Sequence, residues 1–124
     1  MQELEHLLVQ YIRRLGITVK FNLELKNYSK NFYGRYNPNK NSVIIYVFDT
    51  PSCTQTYTVW ELLRTLIHEL CHCEQWNSAD FVRHKGVMHT NDFWKKYNSY
   101  VTKADSMLSN REKEVRYINA TIAV

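Results

Sequence analysis

Leu4, Leu7, Leu8, Tyr11, Ile12 and Leu15 recur every three or four positions through residues 2 to 15, the spacing that gathers apolar side chains on one stripe of an α-helix. Gly16 follows and predicts where that helix stops. The period then switches to two. Val19, Phe21, Leu23 and Leu25 alternate with polar residues between Ile17 and Leu25, which predicts a strand or the lead into one. Residues 32 to 36 and 42 to 48 flank Asn37-Pro38-Asn39-Lys40-Asn41, a run of turn formers, and together read as a hairpin. A loop from Asp49 to Tyr57 leads to a second helical pattern from Thr58 to about Trp76. Here Val59, Leu62, Leu63, Leu66, Ile67, Leu70 and Cys73 share a broad arc, with Thr65, His68, Glu69 and His72 opposite. Thr58 and Glu61 have the spacing of a capping box. Phe93, Trp94, Tyr97 and Val101 predict a closing helix from about 90 to 108, with Thr90 or Asn91 as its cap. Asn110 to Val124 starts helical through Arg111-Glu112-Lys113-Glu114 and then turns β-branched. The layout is one α+β domain over residues 1–124: an N-terminal helix, a small antiparallel-containing sheet, a central helix and a closing helix.

The polar side of the central helix carries the chemistry. His68-Glu69-Leu70-Cys71-His72 is an HExxH pattern. A helix turns about 100° per residue, so positions i and i+4 lie about 40° apart and one turn displaced, and both imidazoles reach one ion. Zn²⁺ accepts neutral imidazole nitrogens, and a catalytic site keeps three protein ligands so that water takes the fourth position. Glu69, on the flank of the same face, is placed to take a proton from that water, whose pKa Zn²⁺ lowers to about 7. The continuous apolar arc buries the other side of the helix and leaves the metal face lining a cleft.

A third nitrogen is required, and His89 and His84 are the candidates. His89 stands at the mouth of the closing helix, in Met88-His89-Thr90-Asn91-Asp92, where packing holds a ligand rigidly. His84, between Arg83 and Lys85, reads as a charged loop residue facing solvent or substrate. The expected metal set is therefore His68, His72 and His89, holding one Zn²⁺ per chain. Arg83, His84 and Tyr97 are candidates for stabilising an oxyanion or touching substrate, and Asp92 for orienting a metal-binding ring. Val43 to Phe48 is the candidate edge strand that would hold a substrate backbone by strand addition. His6 reads as an ordinary surface histidine. Cys71 and Cys73 read as helix-packing residues, and the odd total of three with Cys53 points to a reducing intracellular compartment, cytoplasmic or nuclear.

His68 to His72, Trp76 four residues on, then His89 and the pair Phe93-Trp94 resemble the SprT-like zinc protease domain. That is the domain of the Spartan-type proteases, which cleave proteins crosslinked to DNA; the related WLM domain carries a similar histidine-plus-aromatic segment. The likeness covers roughly residues 57 to 100. It implies a zincin-like fold and an endopeptidase with zinc ligands at His68, His72 and His89. Glu69 would be the general base that later returns its proton to the leaving amine. It also implies DNA-associated or DNA-crosslinked polypeptides as substrates. Two differences stand out. The family's third histidine often follows a glycine directly, whereas Met88 precedes His89 and Gly86 lies three residues before it. Three cysteines cannot build the four-thiolate zinc ribbon of many members, so the likeness is to a minimal catalytic form.

Charge bears on partners. Sixteen Lys and Arg against 12 Asp and Glu give a formal net charge of +4. Lys20, Lys26, Lys30, Arg35 and Lys40 fall in the first half, and Arg83, Lys85, Lys95, Lys96 and Lys103 around the site. Interleaved with Tyr28, Tyr33, Tyr36 and Tyr57, such a surface suits single-stranded DNA, where phosphates meet cations and bases stack on rings. The same Asn-, Lys- and Tyr-rich composition also arises from AT-rich coding, as in many phages and viruses, with the charges merely solvated. No apolar run approaches transmembrane length and the N-terminus lacks the pattern of a signal peptide, so no membrane partner is expected. The alternatives are another small zincin peptidase unrelated to DNA, and a non-catalytic zinc-containing module that binds nucleic acid.

Overall fold

The computed structural model describes residues 2–78 and 88–117. In chain order these form α1 (Gln2–Arg14), β1 (Asn22–Lys26), β2 (Gly34–Asn37), β3 (Ser42–Tyr46), α2 (Val59–Trp76), α3 (Asn91–Met107) and α4 (Asn110–Lys113). Four helices and a three-stranded mixed sheet make a small α+β protein.

Helix α1 buries Leu4, Leu8, Tyr11 and Ile12 along its apolar stripe, with Glu3 and Glu5 in its first turn and Arg13 and Arg14 in its last, where they complement the helix dipole. Gly16 sits just beyond it at φ +85°, the left-handed conformation that closes a helix at least cost with no Cβ. Of Ile17 to Leu25, expected as a strand or the lead into one, the part from Asn22 onward pairs and the part before it is the lead. The ladder begins at Asn22↔Ser42, because residues ahead of Ser42 are consumed by the hairpin turn and leave residues 17–21 without a neighbour. Ile17 is nonetheless fully buried, and Arg13 Nη1 donates to the carbonyls of Ile17 and Val19.

The sheet order is β1-β3-β2, with β1 parallel and β2 antiparallel to β3. This corrects the expectation that Val43 to Phe48 is an edge. Its strand, β3, lies in the centre with a neighbour on each side, because β1 comes back to pair in parallel with the second arm of the hairpin. The free edge beside α2 is β2. Tyr46 N donates to Tyr33 O at 3.0 Å, so 33↔46 is a hydrogen-bonded pair. By the alternation of an antiparallel ladder, Gly34 and Tyr36 then turn their backbone N–H and C=O away from β3. Gly34 also sets how closely β2 approaches α2. A Cβ there would stand 2.8 Å from Thr65 Cγ2 and 2.9 Å from Ile44 O, so any other residue would push strand and helix apart.

Helix α2 is the centre of the molecule, packing on α1, β2, β3, α3 and α4. Thr58 caps it with the expected capping box: its hydroxyl accepts from Glu61 N, and the Glu61 carboxylate accepts from Thr58 N. The chain end supplies a further partner that the sequence does not announce. Val59 N donates to Val115 O at 2.8 Å, and Thr56 N to Tyr117 O at 3.0 Å, so the segment after α4 straps the start of α2. Val59, Leu62, Leu63, Leu66, Ile67, Leu70, Cys71 and Cys73 are all buried, each large aliphatic contributing roughly 1.5–3 kcal/mol by leaving water. Both cysteines are thus packing residues, as their positions suggested. Helix α3 is tied to α2 through Glu74, which accepts from Tyr100 Oη at 3.1 Å and pairs with Lys96 at 3.1 Å. No helix of the described residues is long and apolar enough to cross a membrane.

Candidate metal centre

Two elements deliver three imidazoles to one point. His68 and His72 face the same way from successive turns of α2, with ring centroids 5.1 Å apart. His89 lies one residue before the cap of α3, where the Thr90 side chain accepts from Phe93 N at 3.2 Å and fixes the chain's entry into the helix. Its Nε2 stands 3.1 Å from Nε2 of His72 and 3.2 Å from Nε2 of His68. Nitrogens at about 2.0–2.1 Å from a tetrahedral zinc are separated by roughly 3.3 Å, so the spacing fits a single ion. The three histidines lie close enough together to hold a metal ion.

Ring orientation is secured from outside the trio. His72 Nδ1 is 2.9 Å from Gln75 Oε1, and Gln75 Nε2 donates to Met88 O at 2.9 Å. The Met88 carbonyl can only accept, which fixes the Gln75 amide. Its oxygen can then only accept from Nδ1–H, leaving Nε2 of neutral His72 with its lone pair toward the other two rings. Gln75 also ties α2 to the residue beside His89, so one side chain positions two ligands. From the sequence, Asp92 is the candidate for this orienting role. Asp92 is exposed in the first turn of α3 and makes no hydrogen bond to a metal-binding ring among the described residues. The signal for Gln75 was its i+3 relation to His72 on a helix. We predict that Gln75→Leu, which keeps the bulk and removes both bonds, weakens zinc binding about 10- to 100-fold; competition with a chromophoric chelator measures it, and unchanged affinity would remove the role.

Aromatic rings wall the cluster. Phe93 is buried and stacks on His72 at 4.6 Å and 25°. Trp94 lies 5.4 Å from His89 and 5.8 Å from His68. Tyr97 lies 5.7 Å from His68, half-buried in the adjoining cavity, where the Tyr97 phenol is raised by burial and the Arg64 charge opposes that rise. Arg83 and His84, the other candidates for touching substrate, lie outside the described residues, as does most of the loop between α2 and His89. His6 is exposed on α1, 3.0 Å from Gln10 Nε2 and away from the cluster.

Desolvation shapes the electrostatics. Burial lowers His68 to about 4, with His72 and His89 adding repulsion, and burial also lowers His72 against the opposing effect of Gln75. Neutral imidazole is the form a metal needs. Glu69 is 7% exposed, has neither a hydrogen-bond partner nor a cation beside it among the described residues, and is pushed up by burial to about 7. A carboxyl balanced near neutrality both takes and returns a proton.

Glu69 borders two cavities of about 500 Å³ each. One, beside His68, is lined by Tyr33, Gly34, Arg64, Thr65 and Tyr97. The other, beside His72 and His89, is lined by Tyr36, Asn39, Trp76 and Met88. Residues of β2 line both, so the free edge of the sheet borders a cleft that runs across the histidines. No protein-family model, curated protein or solved structure matches this chain. The four tyrosines of the basic surface separate: Tyr28, Tyr36 and Tyr57 are half-buried, Tyr36 donating to Asn41 Oδ1 at 2.7 Å, and Tyr33 is exposed.

Proposed function

We propose that the protein is a zinc-dependent endopeptidase of the SprT-like kind, acting on extended polypeptide segments. The observation that carries the reading is the convergence of three imidazole Nε2 atoms beside a buried, unpaired carboxyl, with a free sheet edge along the same cleft. Three imidazoles suit zinc among the biological metals and leave one position open. Zn²⁺ held there supplies the Lewis acidity that brings ionisation of a water near neutral pH and polarises a carbonyl. The chain's own residues do the rest. Gly34 and Tyr36 offer outward backbone groups to a substrate strand, which keeps its scissile bond level with Glu69. Glu69 takes the proton of the attacking water and delivers it to the leaving amine, a transfer its near-neutral balance favours in both directions. Tyr97 stands on the His68 side as the candidate donor to the developing oxyanion.

The link to DNA-bound substrates is supported by two exposed rings at the rim of the cavity, Phe32 and Tyr33, with the Arg35 guanidinium 5.2 Å from the Phe32 ring centroid. Rings for base stacking beside a cation are the elements of a single-strand surface. The decisive test is cleavage of an unfolded protein by the zinc-loaded chain at low salt, with and without single-stranded DNA. Cleavage accelerated by DNA is expected. Cleavage indifferent to DNA would leave a small zincin of another purpose, and stoichiometric zinc without cleavage would leave a non-catalytic module.

A further inference from the structure

Arg64 sits one turn before His68 on α2, in the cavity on that side of Glu69. Its guanidinium lies 5.4 Å from the Trp60 ring centroid, and its Nε is buried with no hydrogen-bond partner. A buried guanidinium N–H without an acceptor is costly, and native structures rarely retain one without a use. The nearest acid on its helix face does not neutralise it. The Glu61 carboxylate lines the same cavity but accepts from Thr58 N and Thr58 Oγ1 and faces Arg116 at 3.8 Å, and Arg64 forms no ion pair among the described residues. Arg64 is the one Lys or Arg among the described residues lining either cavity.

The direction of a bound substrate decides what meets it. A strand pairing antiparallel to β2, the more stable ladder, runs from the Asn37 end toward the Gly34 end. Tyr36 lines the His72 cavity and Gly34 the His68 cavity. Residues ahead of the scissile bond therefore fall beside His72, and those after it fall beside His68 and Arg64.

We propose that Arg64 is a specificity-determining residue that binds a carboxylate on the carboxyl-terminal side of the scissile bond, so that the enzyme cuts ahead of acidic residues. The inference rests on the peptidase reading and names its substrate class. A guanidinium presents a planar fork that matches a carboxylate with two parallel hydrogen bonds. The rings of Tyr57 and Tyr97 line the same cavity and Trp60 lies against the guanidinium, an apolar setting that strengthens that pairing. The carboxylate can come from a Glu or Asp side chain or from a chain terminus just past the cut.

Three fluorescent peptides identical except at the first position after the cut distinguish these sources: Glu with an amidated end, Gln with an amidated end, and Gln ending there as a free acid. Binding of each is measured with the zinc-loaded Glu69→Gln chain, and kcat/KM with the wild type. The expected result is a Glu-over-Gln preference of roughly tenfold to hundredfold in both. It should collapse toward unity in Arg64→Met, survive in part in Arg64→Lys and invert toward the Gln peptide in Arg64→Glu. A free acid bound as well as Glu would assign the site to chain ends as well as side chains. Wild-type cleavage with no acid preference overturns the subsite and leaves the peptidase standing. Discrimination in binding without any cleavage keeps the subsite and overturns the peptidase. The wild-type comparison holds even if an Arg64 variant fails to fold.

Discussion

Glu69→Gln is expected to abolish the proposed peptide hydrolysis, by at least the 10²–10⁴-fold that a positioned general base supplies, and to leave zinc binding at one per chain because the three imidazoles are untouched. The same substitution is expected to stabilise the zinc-free protein at alkaline pH. Glu69 is 7% exposed with no partner among the described residues, and burial moves its carboxyl from 4.5 to about 7. Above pH 7 the folded chain therefore carries a buried carboxylate, and the difference corresponds to roughly 3 kcal/mol of destabilisation. As pH falls through 7 toward 4.5, the folded state takes up the proton before the unfolded state does, and that cost disappears. Glutamine never carries it. Thermal melts of zinc-free wild type and Glu69→Gln should thus differ by up to about 3 kcal/mol at pH 8.5 in favour of the variant, and by under about 1 kcal/mol at pH 5. Equal stability at both pH values would mean that the carboxyl is not desolvated as the fold places it. The buried histidines act in the opposite sense. His68, lowered to about 4, stays neutral in the folded chain while the unfolded chain protonates near 6.5, so acidification from 6.5 to 4 destabilises. In wild type the two trends offset each other, and the variant exposes the histidine trend alone.

Local pattern carried much of the architecture, and its failures share one cause. Helix α1, the hairpin, the Thr58–Glu61 capping box and the polar face bearing His68 and His72 each depend on residues within a few positions of one another, which periodicity and capping chemistry report directly. His89 was readable because it precedes a recognisable helix cap. What depended on remote pairing was not readable. Strand β3 opens a continuous apolar run from Val43 to Phe48, which suits a covered strand but does not name its neighbours, and the parallel return of β1, from residues 22–26, puts it in the centre. Moving the free edge to β2 gives Gly34 a purpose that its sequence context conceals, since its contact partner Thr65 is 31 positions away. Gln75 is local to His72, at i+3, but its orienting role depends on the Met88 carbonyl 13 positions on. In the fold a neutral amide spans His72 and the Met88 carbonyl without placing another negative charge beside Glu69. Arg64 carries no local signal in the sequence because its cavity is built from the segment before β2, the start of α2 and Tyr97 of α3.

Removal of zinc is expected to lower the melting temperature steeply, and His89→Ala to remove that dependence. Of the five histidines, three meet within 3.2 Å across the His89 nitrogen. An ion bound only by the folded chain stabilises it by about 4 kcal/mol when free zinc is a thousandfold above Kd. For a domain of this length that is a rise of roughly 10–20 °C. Alanine at 89 leaves two imidazoles on a single helix, and affinity should drop by more than the hundredfold that loss of a supporting partner costs. Because His89 is exposed and lies outside the helices, the zinc-free variant should melt close to the zinc-free wild type. The two proteins then differ only when zinc is present. His6→Ala is the matched control, since that ring contacts Gln10 on the surface of α1, and it should retain the full zinc-induced shift. A full shift retained by His89→Ala would overturn the ligand set and turn attention to His84, the one histidine beyond the described residues. A shift lost in His89→Ala and kept in His84→Ala would establish that the third ligand comes from the entry to α3, the geometry that leaves the cleft open on both sides of Glu69.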